Sequence, residues 1–162
     1  MARNHARLLV SIWDDEDWLA LTTSQQITYA ALMSSEDLSW CGVALLTPQR
    51  LARTSVDMTE RRVRANLKVL EAARFLVLDE STAEILVRSY VRHDDLLKQP
   101  NITKAMVKSL DRVRSADIRH AVIVELGRKY KEEPDLKGWH TIQGLRPELF
   151  EEVLANRSGN LS

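Results

Sequence analysis

Two stretches of this chain concentrate side chains that could do chemistry, and both are cationic. Residues 47–74 hold seven basic side chains against three acidic ones, and residues 88–119 hold eight against four. The 162-residue chain is neutral overall, with 23 basic and 23 acidic side chains, so the excess is local. Charge of one sign gathered on one face can attract a polyanion whatever the total. In the first stretch a helix over 59–74 would turn by about 100° per residue, pointing Val63, Leu67 and Leu70 one way. Arg61, Ala65, Lys68 and Ala72 then point the other way, with Arg62 and Arg64 on the flanks. A small residue between long cations suits close approach to a nucleic-acid groove. Arginine can meet guanine with two parallel hydrogen bonds, and lysine can grip phosphates. Arg50 and Arg53 lie on the preceding segment, placed for the backbone. A merely solvated helix more often alternates Glu and Lys at i, i+4, whereas here Glu60 and Glu71 stand at the two ends.

In the second stretch Lys104, Lys108 and Arg112 recur at i, i+4, i+8 beside the apolar series Ile102, Met106, Leu110 and Val113. They would extend a DNA footprint, or form the solvated side of a helix packed on its neighbours; the spacing weighs both equally.

Enzymatic chemistry finds little support. His93-Asp94 resembles a fragment of a metal-dependent phosphohydrolase motif, but His5, His120 and His140 lack matching ligand spacing, so no metal is expected. There is no glycine-rich phosphate loop, no His-Glu-x-x-His and no Gly-x-Ser-x-Gly, and no cofactor or small-molecule ligand is implied. The single cysteine, Cys41, excludes a disulfide framework, and its apolar setting predicts an inert packed thiol. Trp13, Trp18, Trp40 and Tyr29 are not interleaved with cations, so they read as core rather than as a base-stacking platform.

The elements that must position the cations follow from local signals. Residues 6–13 predict a short strand, and Asp14 a helix cap with a Trp13–Trp18 staple across it. Thr23 with Gln26 predicts a capping box, opening a helix that ends near Ser34 and buries Ile27. Residues 41–46 read as extended, Thr47-Pro48 as the start of a short helix, and Thr59 as the cap of the basic helix. Two β-type runs, 75–78 and 85–91, are joined by a polar hairpin connection without glycine, whose acids Asp79, Glu80 and Glu84 would repel a phosphate backbone. Beyond Pro100, with Asn101 as cap, helices are predicted over about 101–113, 116–132 and 147–154.

Helix, short strand, short helix, turn, basic helix and hairpin, in this order over 23–91, describe a winged helix-turn-helix. Residues 18–101 resemble the N-terminal winged-helix domains of phage replication-initiator or replisome-organiser proteins of the actinobacterial phage and prophage type. The likeness is clearest in Cys41-Gly42-Val43, Leu46-Thr47, Leu51-Ala52, the series Val63, Leu67, Leu70 to Leu76, and Ile85 to His93. It implies double-stranded DNA binding in replication initiation or transcription regulation, within the host bacterial cytoplasm. The turn before the basic helix, Ser55-Val56-Asp57-Met58, departs from the pattern in lacking glycine.

The expected fold is therefore mainly α with a small β-wing: a winged helix-turn-helix over 1–100, a helical extension over 101–155 and a frayed tail over 156–162. The longest apolar runs are four or five residues, too short to span a membrane, so a soluble cytoplasmic protein is expected. Arg61, Arg62, Ala65 and Lys68 would meet base edges or nearby phosphates. Arg50, Arg53 and Arg64 would clamp the backbone, and Thr59 would hold the helix start. Helices after Pro100 would serve a homodimer. The rival class is a protein-interaction module built on the same scaffold, with the acidic block Asp14 to Asp17 engaging a basic partner.

Overall fold

In the computed structural model, which describes residues 4–93 and 95–157, the first helical turn begins where a carboxylate can cap it. That residue is Asp15 rather than Asp14: its side chain accepts from the Trp18 N–H at 3.1 Å, opening α1 (Glu16–Leu19). Thr22 rather than Thr23 opens α2 (Thr23–Met33), in a capping box with Gln25. Both Thr-x-x-Gln pairs fit the motif; the register adopted turns Thr28, Tyr29 and Leu32 inward and leaves Ile27 44% exposed. The expected strand over 6–13 does not form. Its C-terminal part is a 3-10 turn (Val10–Asp14), because a lone strand needs a ladder partner and none faces it. Trp13 is correspondingly exposed, and it touches the buried Trp18 edge to face at 6.4 Å.

The basic helix and its surroundings follow the local signals closely. Strand β1 (Val43–Leu45) leads to α3 (Pro48–Leu51), with Pro48 at the first helical position. Thr59 caps α4 (Glu60–Ala72), accepting from the Arg62 N–H at 3.2 Å. Strands β2 (Leu76–Asp79) and β3 (Glu84–Val87) complete an antiparallel sheet in the order β1-β3-β2. The register pairs Val43 with Leu86 and Leu78 with Ile85. The second β run thus stops at Val87 instead of continuing to Val91. Beyond that residue neither β1 nor β2 offers a partner, and the chain coils into α5 (Tyr90–His93). Gly42 permits this bend: at φ 81° it accepts the Val87 N–H, and a Cβ there would lie 2.8 Å from Tyr90 Cβ.

The remaining chain is helical: α6 (Pro100–Asp111), α7 (Ala116–Glu132), α8 (Lys137–Leu145) and α9 (Pro147–Ala155). Gln99, not Asn101, occupies the cap position of α6, since Pro100 suits the first helical turn. Helix α8 had no counterpart in the sequence reading; its anchors are Trp139 and Ile142. One apolar core runs from Trp18 through Val153. Asp94 of the His-Asp pair and the tail from 158 onward lie outside the described residues. Among the described residues no helix is long and apolar enough to cross a membrane.

Of the hairpin acids Glu80 is exposed as expected, Asp79 is half-buried, and Glu84 turns inward. Glu84 is 6% exposed and accepts the backbone N–H groups of Arg114 and Ser115 at the start of α7. Burial alone would raise its carboxyl, but these N–H donors, helped by Arg114 and Thr82, outweigh it and hold the group below its usual value. Hydroxyl hydrogen bonds from Ser115 and Ser81 hold Asp79 at about 2. Both carboxylates therefore sit where a helix N-terminus favours negative charge. Arg114 also donates to the Thr82 carbonyl, tying the hairpin tip to the α6–α7 junction.

Gly42→Ala is expected to cost about 2–3 kcal/mol in denaturant unfolding, since left-handed backbone strain and the Tyr90 contact add. Glu84→Gln is expected to cost about 1–3 kcal/mol at pH 7, because the amide loses the negative charge and puts an NH2 donor where the second carboxylate oxygen accepts. Glu84 is depressed in the folded state, so its stabilisation is complete above the ordinary glutamate value and fades as pH falls below it. The melting difference between the variant and the parent should therefore shrink from pH 7 to pH 3.

Candidate nucleic-acid interface

Helix α4 is strongly two-faced. Val63, Leu67 and Leu70 are at most 2% exposed, while Arg61, Arg62, Arg64, Ala65 and Lys68 all stand in solvent. The apolar face packs against α2 and α3. The cations expected from the sequence are thus gathered on one helix and its approach, but they are not equivalent. Arg61 and Lys68 flank Ala65 with no acidic partner among the described residues. Arg53, in the 3-10 turn (Ala52–Thr54) after α3, is likewise exposed and unpaired there.

Three arginines are already engaged. Arg62 donates to the Asp57 carbonyl at 2.9 Å, bracing the turn into α4. Arg64 donates through Nε and Nη2 to Glu60 Oε1 at 3.1 and 2.9 Å, so Glu60 is an i, i+4 partner and not only a terminal acid. Arg50 pairs with Asp37 and Glu36, acids of the loop after α2 that the fold carries beside α3. These pairs are solvent-exposed, and such pairs are worth about 0–1 kcal/mol, so a phosphate could displace the acids at little cost. Thr59 spends its hydroxyl on the cap of α4.

Lys104 and Lys108 of α6 and Arg112 just beyond it are exposed, with no acidic partner among the described residues. The buried side of that helix is Thr103, Met106, Val107 and Leu110, so the spacing separated the two faces correctly near its centre. Cys41 is fully buried, and burial pushes its thiol up, as an inert packed thiol requires. Among the described residues no cluster of His, Cys, Asp and Glu could hold a metal ion.

The sequence reading missed the residue that orients α4. Asn66 is 5% exposed, and its amide nitrogen donates to Ser24 Oγ at 2.7 Å and Thr28 Oγ1 at 3.0 Å on α2. Its spacing from Val63 and Leu70 already placed it on the apolar face. A polar residue inside an apolar stripe was the available signal. Replacement of Asn66 by Leu is expected to destabilise the fold by about 1–3 kcal/mol, because the α2 hydroxyls and the Ser24 carbonyl lose their donor. Urea unfolding checks this, with Arg61→Ala as a surface control expected to stay within about 0.5 kcal/mol.

No protein-family model, curated protein or solved structure matches this chain.

Proposed function

We propose that this chain binds double-stranded DNA sequence-specifically as a winged helix-turn-helix protein, with α4 in the major groove. The observation that carries the reading is the exposed face of α4, where Arg61 and Lys68 flank the small Ala65 on a helix whose other face is locked into the core. The surrounding order supports it: α3 and a short turn precede α4, and a β2–β3 hairpin follows. In this reading Arg61 and Arg62 meet base edges, Lys68 and Arg53 meet phosphates, and Arg50 and Arg64 exchange their acids for the backbone. Lys104, Lys108 and Arg112 would add a second set of phosphate contacts. Self-association through the helices after Pro100 would set the spacing of two half-sites. The biological setting the resemblance favours is phage or prophage replication initiation or transcription regulation.

A protein-interaction module is the second reading. The Arg64–Glu60 and Arg50–Asp37 pairs favour it, because cations interleaved with acids suit a partner of mixed charge better than a polyanion.

Selection from a randomised duplex pool at about 150 mM salt, with anisotropy titrations across salt, separates the two. The DNA reading expects an enriched motif and a steep salt slope, and a palindrome would report a dimer. Arg61→Ala should relax preference at one position by about 1–3 kcal/mol. Lys68→Ala should weaken all duplexes alike and lower the salt slope by about 1. Arg64→Ala should do less than either. No binding at low salt would overturn the DNA reading and favour the protein partner.

A further inference from the structure

Away from the exposed face of α4, five segments converge on a cavity of about 450 Å³. They are the N-terminal stretch 7–17, α2, the turn 73–75 after α4, residues 88–93 and α7. This volume lies within the roughly 300–1,000 Å³ of small-molecule sites. Five arginines and three carboxylates line it; Arg7 is paired with Asp95 outside the lining, so the other four arginines exceed the lining carboxylates by one positive charge.

At its base Glu125 is 1% exposed and enclosed by three guanidinium groups. Arg88 donates through Nε and Nη2 to Glu125 Oε1 at 3.2 and 3.0 Å, and Arg128 reaches the same oxygen at 3.1 Å. Arg92 Nε lies 2.9 Å from Oε2, yet neither atom has an aligned hydrogen bond, although both are buried. One carboxylate thus faces three cations, and its pairing with Arg92 leaves both buried atoms without an aligned hydrogen bond. A buried carboxylate alone would be costly; three arginines around it more than reverse its charge.

Arg74 adds a fourth cation. It stands in the turn after α4 at φ 65°, a left-handed conformation uncommon outside glycine, with no ion pair among the described residues. Also on the lining, Tyr29 Oη and Ser89 Oγ lie 3.0 Å apart. Burial raises the Tyr29 phenol, so it keeps its proton and its capacity to donate. Apolar side chains also line the cavity: Leu9, Ile12, Met33 and Phe75. Leu9 is 44% exposed on a stretch without regular secondary structure before the 3-10 turn, an apolar side chain that a ligand would cover.

We propose that this cavity is a binding site for a small phosphate monoester with an apolar or aromatic body. Arg74, Arg92 and Arg128 meet the phosphate, and Leu9, Ile12 and Phe75 meet the body. A phosphate group answers the positive excess, and planar guanidinium forks suit its oxygens. The site is separate from the DNA-facing residues of α4, so it stands or falls independently of DNA binding.

The test is an amide-shift NMR titration of the full chain with phenyl phosphate, inorganic phosphate and phenol. Saturable shifts around 73–75 and 88–93 are expected with phenyl phosphate, weaker ones with inorganic phosphate, and none with phenol. Arg128→Gln and Arg74→Gln should each weaken phenyl phosphate about ten-fold, one charge-assisted contact apiece. Arg74 is exposed and outside the Glu125 cluster, so its variant keeps the test decisive if Arg128→Gln unfolds. Absence of saturation up to roughly 10 mM phenyl phosphate overturns the proposal. So does equal affinity for phenyl and inorganic phosphate, or binding that Arg74→Gln leaves unchanged.

Discussion

The architecture depends on how α4 meets α2. Helix α4 must bury Val63, Leu67 and Leu70 while keeping a row of long cations in water, and both follow from one helical period. Apolar contact alone sets which face is buried but leaves the helix free to slide or rotate by small amounts. The Asn66 amide, donating to Ser24 and Thr28, removes that freedom, because any slip would strand a buried donor. The direction of Arg61, Ala65 and Lys68 is therefore set from inside the protein. The chain leaves α4 through Arg74 and Phe75 straight into β2, so the sheet inherits its orientation.

Two buried carboxylates join this unit to the helices that follow, each by different chemistry. Glu84 is held mainly by backbone N–H groups at the start of α7, where the helix end supplies aligned partial charge, with Arg114 Nε 3.8 Å away as a weaker partner. Glu125, in the middle of the same helix, has no free backbone donors and draws in Arg88, Arg92 and Arg128. Helix α7 is thus tied to the hairpin at its start and to the segment 88–93 further along. The hairpin is consequently braced on the C-terminal helices, not projected freely from the sheet. The cluster around Glu125 also forms one end of the cavity.

Much of the fold around α4 was legible. The start of α3 at Pro48, the cap at Thr59, the buried face of α4, the hairpin and the 116–132 helix all follow from signals within a few residues of themselves. Legibility failed where two local solutions were equally good or where a distant partner decided. Thr22 and Thr23 are equivalent capping choices, and only the packing of Tyr29 and Leu32 against the core distinguishes them. Residues 6–13 have strand composition but no edge to join. The second β run ends at Val87 because both neighbouring strands run out there. Helix α8 escaped notice because its anchors, Trp139 and Ile142, are few and a proline follows closely.

The candidate interface divides along the same line. Which residues of α4 are exposed was determined by the sequence itself, since a helical period is a local property. So was the polar intrusion of Asn66 and Glu125 into apolar stripes, had those stripes been read for their exceptions. Arg64 is answered by Glu60 one helical turn away, but tertiary structure decided which of the other cations are unpaired. Arg50 is answered by Asp37 across a loop, while Arg61, Lys68 and Arg74 have no acidic partner among the described residues. It alone brought Arg88 and Arg92, 37 and 33 residues away in the chain, to Glu125, beside its helical neighbour Arg128. The reason is physical: periodicity acts between neighbours, whereas charge pairing acts through space and depends on which segments the core brings together.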